Sequence, residues 1–435
     1  MEKNKVLIEG AAGRDLHNYL MFFKDNPNYK VVAFTQTQIP GIENRRVPKE
    51  ITGRNSIKMY PESNLPKLIK KLNVDFVNLA YSDLTKEELL EKISIVISNG
   101  ANFLLLGPKD TMIKSKKPLI AVCATRTGAG KGTVVRKILD ILKQKYKNKK
   151  IVILRHPMPY GLLREQIVER FSNIGDLKKY NCTFEEIEEY YPYIEKGFVV
   201  YSGIDYKKIV SEAEKEADII LFESGNNDIS FFKPDFYIVV ADPLRPEGVF
   251  SYPGEINLKL ADLVIINKVN IVKQADIKKT INNIRKVNQK VRIVKAKSVI
   301  KVDKPELIKS KRVILVEDAP SITHGGLNKG VSEITAEKFN CKILEPRRFA
   351  VGSIKKILKV YSHLKTIPTL GYSRKNKIDF IKTLNKAECD AIIFGSYVNI
   401  KDIAKINKPI ARVTYELEEL GKLNLEKILK NFKVK

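Results

Sequence analysis

One stretch limits what this chain can fold into more than any other: an apolar run that stops at a glycine-rich turn and restarts as an amphipathic segment. The run is Pro118-Leu-Ile-Ala-Val-Cys-Ala124 and the turn is Thr125-Arg-Thr-Gly-Ala-Gly-Lys-Gly-Thr133. In the segment that follows, Val134, Val135, Ile138, Leu139, Ile141 and Leu142 fall at helical spacing. Strand, glycine loop, lysine, hydroxyl residue and helix, in that order, predict a phosphate-binding loop. Glycines let the loop amides point inward and let phosphate oxygens approach. The helix adds the positive end of its dipole. Thr127, Gly128, Ala129, Gly130, Lys131, Gly132 and Thr133 are therefore the expected nucleotide-binding residues. Lys131 is expected to reach the β- and γ-phosphates and to be catalytic.

The loop departs from G-x-x-x-x-G-K-S/T at two places. Thr125 stands where the first glycine belongs, and Gly132 follows the lysine, so the hydroxyl arrives one residue late at Thr133. The lysine–glycine pair resembles the loop of CTP synthase. Arg126 stands five residues before Lys131, where ParA-type P-loop proteins carry a second, signature lysine. A cation there is expected to touch phosphate, in cis or across a homodimer.

Composition narrows the class. Hydrophobic residues make up 43% and charged residues 29% of the chain, which suits a globular protein and not a disordered one. No apolar run approaches a bilayer-spanning length, and the N-terminus runs straight into a strand pattern. A cytoplasmic protein with no signal peptide and no membrane partner is expected. The four cysteines are scattered, without a C-x-x-C pair, so neither a disulfide framework nor a zinc site is expected. The 78 Lys and Arg against 50 Asp and Glu give a formal charge of +28, spread along the whole chain. No zinc-finger, basic-zipper or aromatic RNA-binding pattern accompanies it, so the expected partner is an anionic phosphorylated small molecule and not a nucleic acid.

The fold class expected is α/β: a central P-loop NTPase domain with a mostly parallel sheet (118–310), flanked by an N-terminal Rossmann-like domain (1–117) and a small C-terminal α/β domain (311–435). In the first, strands at 5–9, 30–35, 75–80 and 102–106 alternate with helices at 15–23 and 86–98. Gly10 and Gly13 do not complete G-x-G-x-x-G, and no acid ends the second strand, so a sharp connection is favoured over a dinucleotide site. Arg14 and His17 stand at that edge as candidate ligand contacts.

In the central domain, the strand at 151–154 delivers Arg155 and His156 beside the phosphates; Arg155 suits a phosphate clamp and His156 a substrate contact. The acidic, Tyr-rich patch 185–191 is expected to be a solvated helix face. The strand at 217–222 ends in Glu223-Ser-Gly-Asn-Asn-Asp228. A carboxylate at that end is where magnesium or its water is held, so Glu223 is the metal candidate, with Thr133. Asn226, Asn227 and Asp228 are expected to orient a nucleophile or second substrate, with an Asx turn as the plainer role for Asp228. Asn267-Lys-Val-Asn270 is N-K-x-D with Asn270 in place of the aspartate. Asn267 and Lys268 are then expected around a base, with weakened guanine preference. In the last domain, His324 within Thr323-His-Gly-Gly326 is a candidate second-substrate contact.

Taken together, Gly10-Ala-Ala-Gly-Arg14, Gly107-Pro-Lys-Asp-Thr-Met112, the loop Thr125 to Lys131, Arg155-His-Pro-Met-Pro-Tyr-Gly161, Gly225-Asn-Asn-Asp228, Asn267-Lys268, Thr323-His-Gly325 and Ala350-Val-Gly-Ser-Ile354 resemble an archaeal family of P-loop GTPases, the cyclic 2,3-diphosphoglycerate synthases. The resemblance covers nearly the whole chain. It implies a SIMIBI-type core dependent on ATP or GTP with magnesium, and closure of 2,3-diphosphoglycerate into its cyclic phosphoanhydride. Lys131 and the loop amides then hold the triphosphate, Glu223 binds the metal, and Arg126, Arg155 and His324 clamp the polyanion. A regulatory or metallochaperone-like GTPase and a non-catalytic nucleotide sensor are the alternative classes the same core allows.

Overall fold

The computed structural model describes residues 2–10, 13–37, 45–156, 158, 161–317, 330–369 and 374–432. Thr323, His324, Gly325 and Gly326 lie outside them. By internal contacts the chain forms two units. The first holds Met1–Arg170, Val200–Lys297 and Glu419–Lys435; the second holds Phe171–Val199 and Ser298–Glu418. The three-part division at 117 and 310 remains a proposal about folding pieces.

The first unit carries two large sheets and a two-stranded pair, Ile113–Lys114 with Phe232–Lys233. One has six strands, in the order Arg46–Val47, Ile57–Pro61, Tyr29–Gln36, Asn4–Gly10, Phe76–Ala80, Asn102–Leu104. Its pairs are parallel except at the Arg46–Val47 edge. Parallel strands need crossovers, and the helices Leu65–Leu72 and Lys86–Ser98 supply two of them. The second begins at a capping box: Thr85 accepts from the Glu88 amide while Glu88 accepts from the Thr85 amide. Leu7, Ala33 and Val77 face Leu68, Ile69 and Val96 on one side. Val6, Ile8 and Phe34 face Leu16, Tyr19 and Phe23 on the other. The predicted helix at 15–23 is an α-helix, Arg14–Asn18, that widens into a π-helical turn, Tyr19–Phe23.

The second sheet of this unit places Ile151–Arg155, Ile219–Glu223, Leu119–Ala124, Phe236–Ala241, Leu263–Ile266 side by side, all parallel. The apolar run Leu119–Ala124 is buried throughout, as a strand flanked by parallel neighbours on both sides must be. Every functional segment named above for this sheet leaves its carboxyl edge, where ligands bind in open α/β sheets.

In the second unit Ile410–Leu420, Ala391–Gly395, Arg312–Glu317 and Lys342–Ile343 lie side by side in that order, all parallel. The unit's helix Phe184–Ile194 corrects one expectation. Glu185, Glu186, Tyr190 and Tyr191 are buried and not a solvated face. Glu186 is spent on a capping box with Thr183, and Tyr191 donates to Asp402.

Candidate functional site

The strand Leu119–Ala124 gives way at Thr125 to a loop that closes onto the helix Lys131–Lys145. Gly128 (φ 79°) and Gly130 (φ 96°) take left-handed conformations that a side chain would strain. Three side chains from distant segments bolt down the start of the loop. Asn227 Nδ2 and Ser251 Oγ both donate to the Thr125 carbonyl, at 2.9 and 2.6 Å. Asn257 Nδ2 donates to the Ala124 carbonyl at 3.0 Å.

From below, Asn267 Nδ2 donates to the Ala129 carbonyl at 3.1 Å and Lys268 Nζ to the Gly128 carbonyl at 2.6 Å. Asn267 and Lys268, expected around a base, are thus tied to the loop itself. From the N-terminal segment, Asp83 Oδ1 accepts from the Thr127 amide at 3.1 Å. The close fit at Gly254 makes a prediction. A Cβ there would meet the Thr125 carbonyl at 2.1 Å. Gly254→Ala is expected to cost about 1–3 kcal/mol by thermal melting, and to weaken nucleotide binding because the loop must move. An unchanged melting temperature and affinity would contradict this.

Lys131 lies at the helix start, where its Nζ donates to the Asn226 carbonyl. Burial pulls the Lys131 ammonium below its usual pKa, against the pull of the Glu223 carboxylate. Glu223 ends the adjacent strand and pairs with Arg155 Nη1 at 2.8 Å. Gly132, where the standard motif has its hydroxyl, faces this carboxylate: a Cβ there would stand 3.6 Å from Glu223 Oε1 and 3.1 Å from Arg136 Nη1. Arg136 also donates to Thr133 Oγ1 at 3.4 Å. Each of the two expected metal ligands therefore has a guanidinium beside it, Arg155 at Glu223 and Arg136 at Thr133.

Arg126 is turned away from this group. Its Nη1 lies 3.7 Å from Asp242 Oδ2, which also takes Lys268 Nζ at 3.1 Å. Burial lowers the Arg126 pKa, with Asp242 opposing.

Opposite Lys131, His156 Nε2 donates to Asp228 Oδ2 at 2.8 Å. The ring is wedged between two glycines: a Cβ on Gly13 or Gly225 would meet it at 2.6 or 2.4 Å. Burial raises the Asp228 pKa, but the His156 hydrogen bond and the Arg14 charge reverse the shift, and the carboxylate ends below its usual range. The Asp228 amide closes a turn on the Gly225 carbonyl at 2.9 Å. Arg14 donates to the Ile229 carbonyl and stacks over Phe231, 4.4 Å from the ring centroid. His17 is buried against the other elements here: it stacks on Phe231 at 4.1 Å, and its Nε2 lies 2.6 Å from the Thr111 carbonyl. Burial pushes its pKa down to about 3, so it is a neutral structural group.

A small cavity of about 10 Å³, room for about one water, is lined by Arg14, Asn18, Tyr81, Asp228, Ile229 and Tyr252 beside this pair. The larger hollow, at Val168, Lys207 and Ser211, holds none of these groups. Buried polar atoms without a hydrogen-bond partner gather at the loop: Thr127 Oγ1, Ser224 Oγ, Asn227 Oδ1 and Asn267 Oδ1. Buried polar atoms are nearly always paired, so this group marks a site built for a polar ligand.

The structure brings the candidates Lys131, Glu223, Arg155, His156 and Asp228 to one sheet edge. It adds Asp83, Arg136, Asp242, Ser251 and Asn257 around the loop, none of them a sequence candidate. Asp242 carried a readable signal, an acid just past a strand end. Asn257 carried none, since it lies inside the helix Gly254–Leu260.

No protein-family model matches the chain. It is 50% identical over 437 residues to arginine synthetase ArcE of Thermococcus kodakarensis, across 99% of this chain and 97% of that protein. The chain belongs to the arginine synthetase ArcE family. A shorter match joins this ArcE-family chain to cyclic 2,3-diphosphoglycerate synthetase of Thermococcus sibiricus, 34% identical over 127 residues, 28% of this chain and 29% of that protein. Both relatives are synthetases, so the ArcE-family member described here is an enzyme of the ligase type. Among solved structures, LpxK from Aquifex aeolicus in complex with ATP aligns with a TM-score of 0.44 and 13% identity, over 74% of this chain and 90% of that one. No helix among the described residues is long and apolar enough to cross a membrane.

Proposed function

We propose that the chain is an ATP-dependent ligase that forms arginine. The observation that carries this reading is 50% identity to arginine synthetase ArcE over 99% of the chain. The loop geometry supports the phosphoryl-transfer half of it. A guanidinium differs from a urea by a nitrogen in place of the oxygen. The urea-type oxygen attacks the γ-phosphate and ADP leaves; a nitrogen nucleophile then adds to that carbon and phosphate leaves.

Little covalent chemistry falls to the protein, so positioning and charge supply the rate. Lys131 and the loop amides hold the triphosphate. Arg155 and Arg136 line the Glu223 side of it, and Arg126 acts from beneath the loop through Asp242. Asp228 and His156 share a hydrogen bond and orient the amino-acid substrate, together with Arg14 and with Asn226 and Asn227 on the same turn as Asp228. Glu223 and Thr133 are hard oxygen donors of the kind that hold magnesium, and Arg155 and Arg136, which now engage them, would have to give them up to the ion. That ion would neutralise the β- and γ-phosphate oxygens. Because Asn270 replaces the guanine-reading aspartate, ATP is favoured over GTP.

A ligase runs backwards as well as forwards. ADP, phosphate, magnesium and arginine should therefore yield ATP with this protein, and only when arginine is present. Nucleotide turnover indifferent to arginine rejects the reading. A second reading is closure of 2,3-diphosphoglycerate, favoured by the 34% match over 127 residues. Phosphorus NMR after adding that metabolite separates the two. Turnover or binding that ignores both would leave the regulatory GTPase or the nucleotide sensor.

A further inference from the structure

In the second unit there is a stretch where acids all but vanish. Residues 347–386 hold eleven Lys and Arg and one acid, Asp379, a net charge of +10. Less than a tenth of the chain thus bears over a third of its +28. Two helices from this stretch pack on one another, Gly352–Val360 and Arg374–Lys386. Their apolar faces are taken up inside the unit: Ile354, Leu358, Phe380 and Leu384 are buried, and Phe380 packs on Phe184 with 5.7 Å between ring centroids. The one acid is taken up as well. Asp379 accepts from the Ser353 amide at 2.8 Å and from Ser353 Oγ at 3.0 Å, so it is spent at the start of the first helix.

What the pair presents to water is cationic. Lys355, Lys356 and Lys359 are exposed on the first helix. Lys375, Lys382 and Lys386 are exposed on the second, at spacings that put them on one face with Ile378. Among the described residues, Lys355, Lys356, Lys359, Lys382 and Lys386 form no salt bridge, whereas Lys365 pairs with Glu333 and Arg347 with Glu345. Lys355 with Lys359, and Lys382 with Lys386, are like charges four residues apart, an arrangement that costs helix stability. A bound polyanion offsets that cost. Just past the first helix, Tyr361 is 37% exposed. His363 is exposed beside it, with 6.3 Å between the ring centroids.

We propose that this helix pair binds single-stranded nucleic acid, with the lysines along the phosphates and with Tyr361 and His363 as stacking surfaces for unpaired bases. A row of phosphates is the charge complement of lysines spread over two helix faces. Exposed rings set among cations are what unpaired bases stack on. A membrane surface suits the pair poorly, because lipid takes up a continuous apolar face and here those faces are turned into the protein. A small phosphorylated metabolite needs donors that converge on a hollow, and these lysines lie along two helices instead. Sequence motifs gave no sign of nucleic acid; the local loss of acids does. None of this draws on the ligase reading.

The test is fluorescence anisotropy of a labelled oligouridine strand titrated with the whole protein over a range of potassium chloride concentrations. We expect saturable binding whose log affinity falls with log salt at a slope of about −4, the counterion release of about six neutralised phosphates. Lys355→Gln, Lys359→Gln and Lys382→Gln together should cut the slope to about −2 and weaken binding at least ~tenfold at low salt. All three side chains are exposed, so the melting temperature should not fall and ATP binding should stay unchanged. Tyr361→Ala should weaken binding ~5- to 100-fold and leave the slope alone, a loss that a mere pool of positive charge does not show. A duplex of the same length, inorganic polyphosphate and phosphatidylglycerol vesicles should all bind more weakly than the single strand. No saturable binding at the lowest salt, an unchanged slope in the triple variant, unchanged affinity in Tyr361→Ala, or tighter binding of any of the three competitors overturns the assignment. Because no turnover is read, a failed titration leaves the arginine assay untouched, and the reverse also holds.

Discussion

Replacing Lys131 by Ala is expected to lower ATP turnover by ~10²–10³-fold or more, the loss seen when one preorganised charge is taken from a transition state. The reason lies in where the ammonium is held. Its stem is packed at the start of the helix Lys131–Lys145, and its charge stands between the Glu223 carboxylate and the Asn226 carbonyl. Asn226 takes a left-handed backbone (φ 37°) to present that carbonyl, and Asn227, one residue on, is bolted to the loop. A triphosphate entering the loop offers the ammonium a stronger partner than a peptide carbonyl. Lys131→Met keeps most of the stem and removes only the charge, so it separates chemistry from packing. The measurement is steady-state turnover beside a thermal melt. A folded Lys131→Met protein that keeps turnover within threefold would take this loop out of the mechanism.

The second large effect concerns stability. Arg155 and Glu223 sit 2.8 Å apart and are 5% and 3% exposed. A pair this deep is costly to build, because both charges leave water, yet costlier to break. Arg155→Met leaves Glu223 buried without its strongest compensating charge, a loss of about 3–5 kcal/mol. Arg155→Met with Glu223→Gln removes both charges and should recover a large part of that loss. Chemical unfolding of the two single variants and the double variant measures the coupling directly. A single-variant loss below about 1 kcal/mol would mean that the pair is screened by solvent and that the site is more open than its burial implies. Because Arg155 also borders the phosphates in the proposed reaction, turnover of the double variant should stay low even where stability returns.

Much of the frame was readable from local pattern. The strand Leu119–Ala124, the loop and the helix Lys131–Lys145 follow from apolar run, glycines and helical spacing within one stretch of chain. Glu223 and Arg155 were readable as polar residues at strand ends, because strand direction dictates which edge they reach. The patch 185–191 misled, since acidic residues suggest water, whereas Glu186 is turned back to cap its own helix. Asp83 on the Thr127 amide and Asn257 on the Ala124 carbonyl could not be read at all. Each joins segments far apart in the chain, and nothing in their neighbours' identities announces the meeting.

The order of residues alone therefore determined that a glycine loop joins this strand to its helix, because glycine torsions and helix periodicity act within a few residues. It also determined which sheet edge the candidate residues reach. Only the tertiary structure decided which polar groups hold the loop and that Asn267 and Lys268 brace it from below. Those outcomes depend on which side chains meet across a hundred residues or more and on the water they exclude when they do, and neither is a property of any short stretch of sequence.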